Sequence, residues 1–357
     1  MKSVTFVLPG NSSKPIGGYK VVFEYANRLH LDGYRVNLVF PASLLWKDQG
    51  MKGKLKGIIK YLYYLLGKKY EPYDWFPLNK KINIRWIPSL EEKYIPNADF
   101  VFATACETAE YVKSYSLMKG KKFYLIQHFE DWYFSKEEVL ETWQYDMKKI
   151  VIAEWLREIS NSIGEKCELV YNGLDFEKFN LDISIEKKIT NQIIMLYHES
   201  EWKGSEIGLK ALEKVKNEIS DLKVKLFGTP KKPENLPEYI EYYQTPDQKL
   251  LRKLYNESSI YLGTSYGEGW GLTVSEAMQC GCAVACTNVN GYNEMVKDNE
   301  TGLLSPSGNF EKLSENIIKL IKNKELRVTL AENGNKFIQK FTWEKAYSKF
   351  KNTLEDY

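Results

Sequence analysis

The chain has 357 residues, 43% of them hydrophobic and 27% charged, and its 50 basic and 47 acidic side chains leave a net charge of +3. That length exceeds one ordinary domain and predicts two of about 150–180 residues each, while the near-neutral charge argues against a nucleic-acid binder. Five cysteines, an odd number without a regular framework, predict reduced thiols and a cytosolic setting, and no apolar run is long enough to span a membrane.

Residues 4–8 read as a first buried strand, too short an apolar run for a signal peptide. A Gly-, Pro- and Ser-rich loop follows over 9–18, helical periodicity covers 19–31, Asp32-Gly33 stops it, and 35–40 reads as a second strand. Strand, glycine loop, helix and strand open a doubly wound sheet. Across 51–69, Met51, Leu55, Ile58, Ile59, Leu62, Leu65 and Leu66 fall at helical spacing, with Lys52, Lys54, Lys56, Lys60, Lys68 and Lys69 around them. This predicts either a basic amphipathic helix for an anionic membrane surface or a helix covering its own sheet. Strands are expected at 99–103, 122–126, 149–153 and 167–171, with helices over 107–117 and from Glu154. Asn172-Gly173-Leu174-Asp175 turns out of this half, and the charged, aperiodic stretch 176–190 reads as a linker. A second α/β series then runs through strands at 193–197, 223–227, 260–263 and 283–286 and helices at 205–219 and 248–257. Helices at 310–322, 325–340 and 342–354 close the chain.

The most informative stretch is 267–276, Gly-Glu-Gly-Trp-Gly-Leu-Thr-Val-Ser-Glu. Its two carboxylates, Glu268 and Glu276, flank a glycine turn and a helix start between two expected strands. Such a turn lies at the carboxyl end of a sheet, where open α/β folds bind ligands, and amides at a helix start favour phosphate. The carboxylates are then placed to accept hydrogen bonds from sugar hydroxyls, so the segment fits a sugar nucleotide. Lys203, before the helix that opens at Ser205, offers a point charge for a diphosphate. His198, five residues earlier, reads as a phosphate donor, stronger when protonated, or as a structural histidine. Gly17 and Gly18 permit close backbone approach but do not form G-x-G-x-x-G, so a dinucleotide fingerprint is absent. His128 follows an expected strand and suits a cleft role or a packed one, with Glu130 and Asp131 on the same loop for an acceptor. No ligand pattern for a metal occurs, and Cys280-x-Cys282 has no second pair nearby in sequence.

These residues resemble a known family. Glu268 to Glu276 is similar to the E-x7-E motif of retaining glycosyltransferases of the GT-B fold, in glycosyltransferase family four. Pro15-Ile16-Gly17-Gly18, Asn172 to Asp175, Lys203-Gly204, Ala277 to Gly281, Ala283-Val284, Glu294, Thr301 to Leu304 and Phe341-Thr342-Trp343 resemble further family motifs. The likeness is nearly continuous in the C-terminal half and touches the N-terminal half at a few points, with Gln127 to Glu130 similar to a rhamnosyltransferase-like branch of bacterial surface-polysaccharide enzymes. It implies two Rossmann-like doubly wound parallel-sheet domains facing across a cleft: 1–175 for the acceptor, a linker at 176–190, and 191–340 for the nucleotide sugar. A last helix over 341–357 crosses back to the first domain. It also implies Glu268 on donor-sugar hydroxyls, Glu276 on ribose, and backbone donors from Gly269, Trp270, Gly271, Leu272 and Thr273 to the diphosphate. Lys203 would neutralise that diphosphate, Thr229 and Tyr242 would lie near the base, and His128 near the donor sugar. His198 stands where the family usually has arginine, which removes a fixed positive charge. The reading is a retaining, metal-independent, cofactor-free glycosyltransferase using a nucleotide diphosphate sugar and a glycan or lipid-linked acceptor. It would be cytoplasmic and peripheral at the membrane. An epimerase or phosphorylase on the same scaffold, or a non-catalytic partner subunit, are the alternatives.

Overall fold

The computed structural model describes residues 1–11, 15–44, 50–67, 70–132 and 134–356, and the side chains within them except those of 50–52 and 54. The chain forms two compact units, Met1–Tyr171 with Ala346–Tyr357, and Asn172–Lys345. In chain order the first holds β1 (Ser3–Val7), α1 (Gly17–Leu31), β2 (Arg35–Pro41), α2 (Gly50–Gly67), β3 (Asn83–Ile87), β4 (Phe100–Ala103), α3 (Cys106–Val112), β5 (Lys121–Ile126), α4 (Lys136–Trp143), β6 (Lys148–Val151), α5 (Glu154–Ser162) and β7 (Cys167–Leu169). The second holds β8 (Ile189–Leu196), α6 (Ser205–Glu218), β9 (Lys223–Gly228), β10 (Ile240–Gln244), α7 (Gln248–Glu257), β11 (Ser258–Gly263), α8 (Leu272–Gln279), β12 (Ala283–Thr287), α9 (Asn290–Asn293), β13 (Leu303–Ser305), α10 (Phe310–Lys322) and α11 (Lys324–Ile338). The last helix, α12 (Trp343–Glu355), begins in the second unit and runs into the first.

Every strand pairing is parallel, in the orders β3-β2-β1-β4-β5-β6-β7 and β10-β9-β8-β11-β12-β13. Parallel strands covered on both faces read as continuous apolar runs. All six residues of β11 and all five of β12 are buried accordingly. In the second unit Ile193, Met195, Leu226, Ile260 and Leu262 form one core with Leu212 and Val215 of α6 and Leu313 and Ile317 of α10. Strand order reverses between β1 and β4 and again between β8 and β11. Those two reversals are the topological switch points at which this architecture receives ligands.

Several elements differ from the sequence-based expectation. The edge strands β3 and β10, and the helix α4, carry no long apolar run and were not predicted. The helix expected over 107–117 ends at Val112, because the chain turns to bring the Tyr115 hydroxyl 2.7 Å from the Leu90 carbonyl. The stretch 176–190 is no linker but part of the second unit. Two of its charges are engaged there: buried Lys188 donates to the carbonyls of Tyr255, Asn256 and Ser258 at 3.0, 2.8 and 3.2 Å, and Asp182 pairs with Arg252.

Within the first unit, Phe350 of α12 is fully buried, stacked 4.1 Å from Tyr25 and 5.3 Å from Phe102. Tyr347 and Lys351 both hold Asp32 at the end of α1, at 2.9 and 2.7 Å. Phe350→Ala is therefore expected to cost about 3–5 kcal/mol of stability, read by urea unfolding of the first unit's transition.

Candidate functional site

The loops that follow β8 and β11 meet at the second switch point. Gly204 adopts left-handed backbone angles (φ 63°), and a Cβ there would fall 2.0 Å from the Thr264 carbonyl oxygen. Only glycine lets the two loops approach so closely. The Thr264 hydroxyl then donates to the Lys203 carbonyl at 2.8 Å, and the Tyr266 amide to the Trp202 carbonyl at 2.7 Å. This seam brings Lys203 and Glu268 together although 65 positions separate them: Nζ lies 2.6 Å from Oε1. The same oxygen accepts from the Ser265 hydroxyl at 2.7 Å, and Ser265 in turn accepts from the Tyr292 hydroxyl at 3.1 Å. The Lys203 ammonium also lies 4.0 Å over the Trp202 ring.

Past Glu268 the chain enters α8 through Gly271, again left-handed (φ 82°), where a Cβ would meet the Tyr292 ring at 2.7 Å. The first turn of α8 begins at Leu272 and Thr273, and amides there have no acceptor within the helix. The Thr273 hydroxyl accepts from Tyr261 at 2.7 Å. Burial pushes the Tyr261 hydroxyl far up, and the carboxylates of both Glu268 and Glu276 push it further, so the two acids act on one small region. Glu276 itself is only 8% exposed, with the Tyr255 hydroxyl 3.5 Å away. The Trp270 side chain is 2% exposed and packs edge-on against Phe341 at 5.0 Å, so it serves the core while its backbone carries the turn alongside Gly269.

His198, read from the sequence as a phosphate donor or a structural histidine, has one ring nitrogen already engaged by its own loop. Its Nδ1 accepts from the Ser200 amide at 3.0 Å, which puts the proton of the neutral ring on Nε2. Burial, and then the Lys203 charge, lower its pKa below the ordinary histidine value. The ring is thus a neutral N–H donor near pH 7. Thr229 directly follows β9, the neighbour of β8, and Tyr242 lies in β10, the edge strand beyond it. Thr229 is exposed, whereas the Tyr242 hydroxyl already donates to the Pro230 carbonyl at 2.6 Å and its ring packs edge-on to Tyr197.

In the first unit Gly17 and Gly18 open α1, and the Gly18 carbonyl accepts from Gln127 Nε2 at 3.2 Å. The next residue, His128, donates from Nδ1 to the Phe129 carbonyl at 2.8 Å, so its neutral ring keeps a lone pair on Nε2. Glu130 accepts the Cys106 amide at the start of α3. Burial pushes its carboxyl up to about 7, with Glu107 adding to the rise and the Cys106 amide opposing it. Glu130 thereby fastens the loop that carries His128, and Asp131 beside it is exposed. All five cysteines are free thiols. Among the described residues no three His, Cys, Asp or Glu side chains cluster as a metal site would need. Sequence reasoning missed Ser265, Tyr292 and Gly291; a Cβ on Gly291 would lie 2.2 Å from the Glu268 carbonyl oxygen.

Residues 177–337 match the family model for glycosyl transferases group 1. The second unit is a glycosyl transferases group 1 domain. The chain is 27% identical over 225 residues to an uncharacterized glycosyltransferase of Methanocaldococcus jannaschii, covering 58% of this chain and 59% of that one. It is also 27% identical over 205 residues to the capsular polysaccharide biosynthesis glycosyltransferase CapM of Staphylococcus aureus, covering 52% and 54%. The chain thus spans little more than half the length of these relatives. Its fold is similar over its whole length to that of Anabaena HepE solved with UDP-glucose, with a TM-score of 0.74 at 15% identity and 100% of both chains covered. A Staphylococcus aureus TarM variant solved with UDP and alpha-GlcNAc-glycerol gives 0.73 at 12% identity, covering 99% and 100%. Two parallel-sheet, Rossmann-like units of seven and six strands make this a GT-B fold.

Two outcomes follow for the group 1 domain. Gly204→Ala is expected to open the seam between the two loops, giving a lower Tm together with loss of nucleotide-sugar stabilisation. The His198 imidazole is expected to titrate below about 6.5 and to show the Nε2–H tautomer by long-range nitrogen NMR. Because the folded protein binds that proton more weakly than the unfolded chain, this group favours folding above that range and loses its contribution as the pH falls through it.

Proposed function

We propose that the protein is a retaining glycosyltransferase that moves a sugar from a nucleotide diphosphate donor to a hydroxyl acceptor without a metal ion. The observation that carries this reading is the Lys203–Glu268 pair beside the α8 N-terminus, at the switch point of a group 1 domain. The diphosphate would take Lys203 as counter-ion, the first amides of α8 and the Nε2–H of His198 as donors, and Glu268 would accept from the sugar hydroxyls. Glu276 would accept from the ribose hydroxyls, with Thr229 and Tyr242 toward the base. In the reaction the bond from C1 to the phosphate oxygen breaks and the acceptor oxygen bonds to C1 on the same face. The acceptor proton passes to the departing phosphate oxygen. HepE solved with UDP-glucose and the TarM variant solved with UDP and alpha-GlcNAc-glycerol support this reading, as does the name of CapM, a capsular polysaccharide biosynthesis glycosyltransferase. The acceptor class proposed is a glycan or lipid-linked glycan of a surface polysaccharide.

Removal of either partner leaves the other charged and unpaired. Lys203→Ala and Glu268→Ala are each expected to lower kcat/KM by about 10²–10³. The double variant is expected to lose less than the product of the two, because the residues act through one contact. Near-wild-type transfer by both single variants would sink the assignment. An epimerase on the same fold would consume the sugar nucleotide equally well with no acceptor present.

Peripheral attachment to an anionic membrane surface belongs to the same proposal and is supported by α2. This helix leans on its own unit through Gly57, Tyr61 and Tyr64: Gly57 lies against Ser43, the Tyr61 carbonyl accepts from Trp86 at 2.9 Å, and Tyr64 packs 5.4 Å from the Trp86 ring. On the remaining face Leu55, Ile58, Ile59, Leu62, Tyr63, Leu65 and Leu66 are 39–86% exposed. Lys56 and Lys60 are exposed among them, no acidic residue occurs between 50 and 70, and Lys68 and Lys69 lie outside the described residues. An apolar stripe with cations beside it fits the boundary of an anionic bilayer. No helix among the described residues is long and apolar enough to cross one. Lys56→Glu with Lys60→Glu is expected to abolish co-sedimentation with phosphatidylglycerol vesicles while leaving weak binding to phosphatidylcholine unchanged. Undiminished sedimentation would remove this part of the proposal.

A further inference from the structure

The segment that leaves β12 and forms α9 packs against the loop that carries Glu268. The Thr287 hydroxyl donates to the Ser265 carbonyl at 2.5 Å. Gly291 lies so close to the Glu268 carbonyl oxygen that no side chain fits between them. The Tyr292 ring fills the space beside two glycines: a Cβ on Gly263 would come within 3.1 Å of it, and one on Gly271 within 2.7 Å. From that fixed ring the hydroxyl donates to Ser265 Oγ at 3.1 Å, and Ser265 donates to Glu268 Oε1 at 2.7 Å. Tyr292 and Ser265 are both buried.

These two hydrogen bonds form a directed chain. A phenol and a serine hydroxyl carry one proton each. Tyr292 gives its proton to Ser265, so the serine oxygen is already accepting and its own proton turns to the carboxylate. Burial pushes the Tyr292 hydroxyl well up, and the Glu268 charge pushes it further, so it stays a donor. Hydrogen bonds in series polarise one another, which strengthens the last bond, the one on Glu268. The same Oε1 also takes the Lys203 ammonium. A lysine on its flexible stem can turn to an incoming phosphate. The serine and the tyrosine are set in packed backbone and cannot follow.

We propose that Tyr292 is a positioning residue for Glu268: acting through Ser265, it keeps hold of Oε1 when Lys203 turns to a diphosphate, and so leaves Oε2 to a hydroxyl of the donor sugar. This rests on the transferase reading above and adds to it a residue that touches neither donor nor acceptor. Ring and hydroxyl have separate tasks. The ring fills the gap beside the two glycines, and only the hydroxyl serves the carboxylate, so Tyr292→Phe removes the second task alone.

The test uses the full chain with Tyr292→Phe, Ser265→Ala, Glu268→Gln and their pairs. Thermal unfolding without ligand comes first. Tyr292→Phe is expected to lower the Tm of the wild-type chain but not that of Ser265→Ala, where the phenol has already lost its acceptor. Binding is then measured with UDP-glucose, UDP-N-acetylglucosamine and GDP-mannose, each against its bare nucleoside diphosphate. For the sugar nucleotide that binds most tightly, Tyr292→Phe is expected to raise Kd about three- to tenfold, the worth of one hydrogen bond, and that of the bare diphosphate less than about twofold. In the Glu268→Gln background the same change is expected to move neither Kd by more than about twofold. Additive Tm losses, an equal rise for both ligands, or a full-sized rise in the Glu268→Gln background would overturn the positioning role. If no sugar nucleotide stabilises the wild-type chain, the transferase reading fails, and the unfolding cycle still decides whether Tyr292 acts through Ser265.

Discussion

The seam between the loops after β8 and β11 is the constraint on which the site depends. A carbonyl oxygen occupies the space a side chain at position 204 would need, so this residue has to be glycine. From that one contact the rest follows in order. The Lys203 and Trp202 carbonyls are held by Thr264 and Tyr266, the lysine side chain is directed across the seam, and Glu268 receives it. Ser265 and Tyr292 then fix the carboxylate from the other side.

The two units use the same topological device for different chemistry. In the second, the reversal between β8 and β11 gathers a cation, a carboxylate and a helix start, a set suited to a charged diphosphate with hydroxyls attached. In the first, the α3 start is already occupied by the Glu130 carboxylate of its own chain. An anion-binding helix end that is filled internally does not recruit phosphate; it instead anchors a loop. What that loop exposes is Asp131 and Trp132.

Much of this was legible in the chain, and the reasons are local. The glycine turn, the helix start after it and the apolar runs of β11 and β12 are each written in consecutive residues, so Glu268, Glu276 and Lys203 could be singled out. The edge strands β3 and β10 were not, because a half-exposed strand lacks the continuous apolar run of a central one. The charged stretch 176–190 looked solvated because composition does not reveal that Lys188 finds three carbonyls in one place. Ser265, Gly291 and Tyr292 carry no motif of their own. Their role exists only once α9 is folded against the Glu268 backbone, a contact between segments more than twenty positions apart. Exposure of the α2 stripe was equally unreadable: helical spacing shows that one face is apolar but not which face meets the sheet.

In the proposed reading, the electrostatics of the donor site would turn on His198, which stands where the family resemblance implies an arginine. A guanidinium stays charged at every accessible pH. This imidazole is held neutral by burial and by Lys203, with its Nδ1 already committed to the Ser200 amide. Among the described residues of the two seam loops the one cation is Lys203, and its charge is balanced by Glu268. A diphosphate entering such a site gains no large unscreened attraction; it has to exchange with the carboxylate for the lysine. That exchange is most favourable when the displaced carboxylate finds new donors, and sugar hydroxyls provide them. A free phosphate or diphosphate would leave Glu268 without that compensation, at the cost of an unpaired, half-buried charge. On the proposed reading, discrimination in favour of the intact sugar nucleotide would follow from a neutral resting pair, and a second fixed cation at position 198 would weaken it.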